Sequence, residues 1–290
     1  MNYRALDLKK LKKRKINFRN YLTKNTKLKI SDITRLSYDL QSGNYIENFK
    51  KIKKNRLNFD IFNKNMKNLT ESINVKNPKT ILDFGTGEGI LIPYILKSNK
   101  NIKKMYACDI SFNRLYYARS FLKKKLNSKE LSKTFLFCNE DFRLPFKSNS
   151  INLVFTNGVF ENLSNKNMNI LLLELLRVAK KRLVLNEPIK NNLTRLKNHQ
   201  LNYRLNYFLK KNNINFIEYE CHQIQKNRTK YTTRVIDKNK KLKNDDRLFL
   251  KDEKYPLVKK NGFFCSRSGR IFPILNEITI FRSLNDLNFI

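Results

Sequence analysis

One stretch, Lys79 to Pro93, constrains the fold of this chain more than any other. It reads KTILDFGTGEGILIP: a short apolar run, three glycines at alternate positions, and a second apolar segment. Glycine is required where the backbone takes a positive φ or where a ligand approaches closely. The whole chain has seven glycines, and three of them lie here, so an ordinary turn is a poor explanation. The pattern predicts a buried strand, a tight glycine turn and the start of a helix.

The charges around this turn bear on its ligand. A dinucleotide-binding turn has the spacing G-x-G-x-x-G and places a pyrophosphate at a helix N-terminus. Here the spacing is G-x-G-x-G, with Asp83 before the glycines and Glu88 among them. Two carboxylates repel a phosphate and attract an ammonium group. The segment LDFGTGEG resembles the first motif of the class I S-adenosylmethionine-dependent methyltransferases, and a nicotinamide cofactor is the weaker alternative.

Three further segments follow in the order that this family has. MYACDI (105–110) reads as a second buried strand, and its Asp109 stands where an acidic side chain accepts both ribose hydroxyls. FLFCNEDFRLPF (135–146) and SINLVFTNGVFENL (150–163) are similar to the family's adenine-binding segment and to its fourth strand with the loop beneath the reacting methyl. The resemblance covers roughly residues 79–188. The expected cofactor-binding residues are Asp83, Gly85, Thr86, Gly87, Gly89, Asp109, Ile110, Asp141, Phe142 and Asn157.

The resemblance also gives roles and departures. It implies that Asp141 lies near the adenine amino group and Phe142 against the ring. Many relatives carry Asp where Asn152 stands, and a Glu-His pair where Glu161 and Asn162 stand, which removes one possible catalytic histidine. The two histidines of the chain, His199 and His222, lie beyond the fifth predicted strand. No catalytic residue is assigned from the sequence.

The segment after the fourth strand separates the possible acceptors. Enzymes that methylate base or amide nitrogens usually carry an Asn/Asp-Pro-Pro-aromatic turn there, and this chain has TNGVF at 156–160. The resemblance therefore favours a small-molecule, lipid, quinone or glycan-precursor acceptor, methylated at oxygen. Two alternatives remain: an RNA methyltransferase, or a cofactor-binding subunit without catalysis.

The formal charge of +37 has two explanations. A basic protein can bind nucleic acid or an anionic surface. Alternatively, the abundance of Lys, Asn, Ile, Phe and Tyr and the absence of Trp reflect the codons of an AT-rich genome. Charge concerns solubility and association more than fold, so the sequence alone favours the second explanation.

Cysteines and apolar runs bound the compartment. The four cysteines are far apart without a C-x-x-C pair, which favours a reducing compartment and no metal site. The basic N-terminus lacks the apolar core of a signal peptide, and no apolar run is long enough to span a membrane. We expect a cytoplasmic protein; its oligomeric state is not assigned.

Four parts are expected along the chain. Residues 1–78 form a basic helical extension, in which 38–46 lies nearest the cofactor as a lid or simply connects two helices. Residues 79–225 form the methyltransferase domain, an α/β fold with a doubly wound, mostly parallel sheet and helices on both faces. Residues 226–254 are a charged loop or linker. Residues 255–290 are a small β-rich segment that weakly resembles a degenerate, metal-free zinc ribbon, or a plain hairpin at Asn261-Gly262.

Overall fold

A single eleven-stranded sheet organises the part of the chain that the computed structural model describes, residues 18–139, 142–189, 200–220, 230–238, 255–267 and 270–281. The strands are β1 (Thr80–Phe84), β2 (Lys104–Asp109), β3 (Thr134–Asn139), β4 (Ile151–Asn157), β5 (Ala179–Ile189), β6 (Ile217–Glu220), β7 (Lys230–Asp237), β8 (Val258–Lys260), β9 (Phe263–Cys265), β10 (Ile271–Leu275) and β11 (Ile278–Phe281). Their spatial order is β6-β7-β5-β4-β1-β2-β3-β11-β10-β9-β8.

Helices cover both faces of this sheet. They are α1 (Phe18–Asn25), α2 (Ile30–Leu40), α3 (Asn44–Lys54), α4 (Arg56–Asn74), α5 (Ile92–Ser98), α6 (Phe112–Lys125), α7 (Ser128–Ser132), α8 (Asn165–Val178) and α9 (Gln200–Lys211), with a short 3-10 helix at Phe160–Asn162. Residues from α4, α5 and α6 pack on one face, and residues from α8 and α9 pack on the other. None of the helices described here is both long and apolar enough to cross a membrane.

Strands β1 to β5 are parallel, so their carboxyl ends lie at one edge of the sheet. Their central residues are buried on both sides, as expected for near-continuous apolar strands. We call this carboxyl edge the mouth and the opposite, amino edge the basal face. The predicted doubly wound, mostly parallel α/β fold is confirmed.

The prediction of a loop or linker at 226–254 is wrong for its first part. Residues 230–237 form β7, which pairs antiparallel with β5 and β6 inside the sheet. The charge of Arg234 concealed this strand from the sequence pattern. Its buried guanidinium donates a hydrogen bond of 2.6 Å to Asn206 Oδ1 and lies 3.2 Å from Glu218 Oε2, so the charge is compensated inside the fold. Residues 239–254 lie outside the described part.

The C-terminal strands extend the same sheet. β11 pairs parallel with β3, and β10, β9 and β8 follow as antiparallel neighbours. β8 and β9 are joined by the predicted two-residue turn at Asn261-Gly262. The turn before β11 is fixed to α6, because Glu277 accepts hydrogen bonds from Arg119 and Lys123. This β-rich segment therefore lengthens the sheet beyond β3.

Candidate cofactor and active site

The glycine turn connects β1 to α5 at the mouth. Gly85, Gly87 and Gly89 have φ values of +78°, +58° and +71°, which side chains rarely adopt. A Cβ on Gly85 would lie 2.4 Å from Val159 Cγ2, and one on Gly87 would lie 3.1 Å from the Tyr45 ring. Glycine is thus required here both by the backbone conformation and by the closeness of two neighbouring segments.

Asp109 ends β2 directly beside this turn. One carboxylate oxygen accepts a hydrogen bond of 2.9 Å from the Gly87 N–H, and the other accepts one of 2.9 Å from the Ser111 N–H. Burial raises the pKa of Asp109, while the Arg114 guanidinium and these two N–H groups oppose the rise. Gly87, in the turn after β1, and Asp109, at the end of β2, are both predicted cofactor-binding residues, and a direct hydrogen bond joins them.

Asp83 lies at the carboxyl end of β1 and is almost fully buried. Burial raises its pKa to about 7; the Thr86 hydroxyl opposes this rise and the Asp109 carboxylate adds to it. A buried carboxylate is stabilised by an opposite charge and destabilised by a like one. The Asp83–Asp109 pair thus provides a place where a cation is favoured.

Glu88 has a role that the sequence did not reveal. It is buried, and its two oxygens accept hydrogen bonds from Gly43 N (2.8 Å), Tyr45 N (3.3 Å) and Ile46 N (2.7 Å) at the start of α3. A carboxylate at a helix N-terminus accepts from otherwise unpaired N–H groups, and its negative charge interacts favourably with the helix dipole. Glu88 therefore acts on α3 rather than on a ligand, which corrects the interpretation of its charge from sequence.

Two more contacts fix the α2–α3 connection over the turn. Ser111 Oγ donates a hydrogen bond of 2.6 Å to Asp39 Oδ1. The Arg114 guanidinium lies 4.4 Å from the ring centres of both Tyr38 and Tyr45, a cation–π arrangement on two sides. Residues 38–46 thus connect two helices and lie against the glycine turn; that they cover the cofactor as a lid stays a prediction.

Another buried carboxylate holds the loop after β4. Glu187, near the end of β5, accepts hydrogen bonds from Thr156 Oγ1 (2.8 Å), Val159 N (3.2 Å) and Phe160 N (2.9 Å). Burial raises its pKa to about 7, and those three donors oppose the rise. Sequence reasoning missed Glu187, although a carboxylate directly before a proline at the end of an apolar strand is a signal that could have found it.

Amide groups continue this loop toward β7. Asn186 Nδ2 donates a hydrogen bond of 2.6 Å to Asn157 Oδ1, and Asn186 Oδ1 accepts one of 3.0 Å from Thr233 Oγ1. Gly158 has φ +70°, and a Cβ there would lie 3.3 Å from the Tyr231 hydroxyl. Asn157 is therefore positioned by β5 and β7, and Tyr231 is a further residue at the mouth that the sequence did not indicate.

The predicted site residues converge at the mouth as far as they are described. Thr86 lies in the turn, Ile110 follows β2, and Phe142 is half-buried against the core under α8. Asp141, His199 and His222 lie outside the described residues. Asn152 lies at the basal end of β4, where its side chain accepts a hydrogen bond of 2.9 Å from Lys79 N, so its departure from relatives is not at the mouth.

The comparisons agree with this geometry. A family model described as a methyltransferase domain matches residues 82–184. Among solved structures, magnesium protoporphyrin IX methyltransferase from Synechocystis PCC 6803 with bound SAM has a TM-score of 0.54 and 14% identity, covering 74% of this chain and 100% of that one. A SAM-dependent methyltransferase from Aquifex aeolicus has a TM-score of 0.50 and 21% identity, covering 65% and 97%. A search of the curated proteins finds no match.

At such identities the structural likeness shows the fold, and the family model shows the domain. Residues 82–184 form a class I methyltransferase domain. The chain therefore carries a methyltransferase domain, and its fold is that of S-adenosylmethionine-dependent enzymes.

Proposed function

We propose that the glycine turn and the two carboxylates beside it hold S-adenosylmethionine. The observation that carries this proposal is the buried pair of Asp83 and Asp109 next to a turn that glycine alone can form. Asp83 would pair with the cofactor's ammonium group, which stabilises its ionised form, and Asp109 would accept from the ribose hydroxyls. Thr86, Ile110, Phe142, Asn157 and, outside the described residues, Asp141 complete the proposed set.

The acceptor is proposed to be a small molecule methylated at oxygen. Bound S-adenosylmethionine supplies an already activated methyl group. The chain's own task is then to align the acceptor and exclude water. Glu187 supports this by fixing the loop 157–160 beneath the mouth, and Tyr45 supports it by covering Gly87. The amide of Asn157 and the hydroxyl of Tyr231 are neutral polar groups suited to an uncharged acceptor.

RNA methylation is the second candidate, and the overall charge supports it. The described carboxylates of the mouth argue against it, because Asp83, Asp109 and Glu187 lie near the carboxyl ends of β1, β2 and β5, and Glu161 is exposed in the loop after β4. A polyanion is repelled by such a lining. We therefore rank the small molecule first.

Calorimetry with S-adenosylhomocysteine tests the cofactor site. We expect Asp109→Asn, which keeps the shape of the side chain, to weaken binding by roughly ten- to a hundred-fold, the effect of losing one hydrogen bond to a charged acceptor. Gly87→Val should weaken it further through the Tyr45 ring. Glu161→Gln, an exposed carboxylate of the same mouth, serves as the control and should bind like wild type.

The acceptor is tested by incubating the protein with methyl-labelled S-adenosylmethionine and separate metabolite and RNA fractions of a cell extract. Mass spectrometry should find the label in a metabolite. Label found only in the RNA fraction would make RNA the first candidate for the acceptor and would leave the cofactor assignment unchanged.

A further inference from the structure

The basal face carries a continuous row of basic residues. The turns at the amino ends of β1 to β5 span residues 76–79, 97–104, 123–133, 147–150 and 176–182, and every one contains Lys or Arg. The parallel arrangement of the strands places all five turns at one edge of the sheet. Positive charge that is dispersed along the sequence is thus gathered on one surface.

Hydrogen bonds show that these turns adjoin. Lys103 N and Lys104 N both donate to Lys79 O, at 2.8 and 3.1 Å, and Met105 N donates to Lys133 O at 2.8 Å. On the other side, Lys238 N donates to Lys181 O at 2.7 Å. With neighbouring strands about 4.8 Å apart, the row from β5 to β3 is about 20 Å long.

The charge of this face is not neutralised within the described part of the chain. The carboxylate of these turns, Glu130, lies 3.3 Å from Lys100. The neighbouring Glu277 is paired with Arg119 and Lys123, and the neighbouring Asp237 with Arg182. Exposed lysines without a carboxylate partner among the described residues include Lys79, Lys97, Lys103, Lys124, Lys129 and Lys181.

Two simpler explanations account for only part of this pattern. A helix dipole favours a cation in the last turn of a helix, which explains lysines at the ends of α5 and α6. It does not explain Lys79 and Lys133, which directly precede β1 and β3, or Lys104, which begins β2. Codon usage supplies lysine, but it does not select one edge of a sheet.

We propose that the basal face binds the phosphate backbone of RNA. This surface goes beyond the proposed methyl transfer, because β4 has seven residues and therefore separates it from the mouth by about 20 Å. RNA bound here does not present its atoms to the methyl group; it docks the enzyme. An anionic membrane fits less well, because the large exposed apolar side chains among the described residues at this edge are few, Val75 and Leu275.

Fluorescence anisotropy with a labelled single-stranded RNA of mixed sequence tests the proposal on the full chain. The basal variant combines Lys97→Glu, Lys103→Glu, Lys124→Glu and Lys129→Glu. The control variant makes the same charge change on α3 and α4, with Lys50→Glu, Lys51→Glu, Lys54→Glu and Lys64→Glu, all at exposed positions. Thermal melting and S-adenosylhomocysteine binding verify that both variants are folded.

The salt dependence of binding gives the decisive reading. Affinity for RNA decreases with salt, and each phosphate contact makes the slope of log affinity against log salt steeper by about 0.7. If the four basal lysines each contact a phosphate, the slope of the basal variant should therefore be shallower than that of wild type by about 3. The control should keep the wild-type slope. Equal losses in the two variants, absence of wild-type binding near physiological salt, or tight binding to phosphatidylserine vesicles in place of RNA would each overturn the proposal.

Discussion

The mouth and the C-terminal strands belong to the same sheet but are stabilised by different interactions. At the mouth, Glu88, Asp109 and Glu187 are buried and each accepts at least two hydrogen bonds from backbone N–H groups or a hydroxyl. In the segment β8 to β11, buried side chains such as Phe264, Phe272 and Ile278 pack against the core, and the ion pairs lie at the surface.

This difference explains which region could be recognised from sequence. The glycine turn and Asp109 admit one residue type at each position, because of the positive φ values and the direct bond from Gly87 N–H, so they leave a motif. Apolar packing tolerates many residues of suitable volume, so it leaves a hydrophobic pattern in the sequence but no specific motif. Perturbing each force separately tests the contrast.

The largest expected effect concerns apolar packing in the C-terminal strands. Phe272 is buried beside Phe281, with ring centres 5.2 Å apart, whereas its neighbour Ile271 is 45% exposed. We expect Phe272→Ala to lower the free energy of unfolding by about 3–5 kcal/mol because it leaves a cavity. Urea denaturation measures this change.

Ile271→Ala is the matched control, because it truncates the next residue of the same strand on its exposed side. It should change the free energy of unfolding far less. Similar effects of the two substitutions, or a separate unfolding transition for the C-terminal strands, would show that these strands are not packed into the main core.

A smaller effect is expected from the carboxylate that anchors α3. Glu88→Ala removes the acceptor for three backbone N–H groups and should destabilise the protein by about 2–3 kcal/mol. Glu88→Gln keeps one acceptor oxygen and should lose less. Glu47→Gln, an exposed residue in the first turn of the same helix, should have little effect on the melting temperature.

Cofactor affinity distinguishes a local from a global role of Glu88. If residues 38–46 are a lid, Glu88→Gln should weaken S-adenosylhomocysteine binding while the rest of the domain stays folded. Unchanged affinity would mean that Glu88 serves stability alone.

The sequence predicted the parallel core and the mouth because both depend on local patterns. The apolar runs of β1 to β5 have no alternative to burial, and Gly85, Gly87 and Gly89 have no substitute at positive φ. The anchoring of α3 depends instead on a contact between residues 42 to 45 positions apart, which no local pattern records. β7 was missed because its buried Arg234 is compensated by groups on α9 and β6, which are distant in sequence.

A pH effect of similar or smaller size is expected at the mouth. The pKa of Asp83 is raised to about 7 in the folded chain, well above the ordinary value of 3.8. The folded state therefore binds a proton more tightly than the unfolded state does, so this group's contribution to stability falls as pH rises from about 4 to 7 and is level above that. Between pH 8 and pH 6 without ligand, Asp83 should add about 1.4 kcal/mol of stability.

Asp83→Asn isolates this contribution. Glu187, whose pKa is also raised to about 7, changes stability with pH in the same direction, and it remains in the variant. The variant should show a smaller gain in melting temperature than wild type on going from pH 8 to pH 6. Parallel curves for the two proteins would show that Asp83 does not titrate in this range.

The smallest expected effect is that of a chelator on the C-terminal segment, whose sequence weakly resembles a zinc ribbon. A structural zinc requires four thiolate or imidazole ligands, and residues 255–290 offer Cys265 alone. Cys221 and His222 lie upstream of β7 and outside the described residues, and with Cys265 they would supply three ligands. The hydrogen bonds between β3, β11, β10 and β9 and the burial of Phe264 and Phe272 supply cohesion without metal. We therefore expect EDTA to leave the melting temperature unchanged; a fall in melting temperature together with one zinc per chain by metal analysis would refute the packing account of this segment.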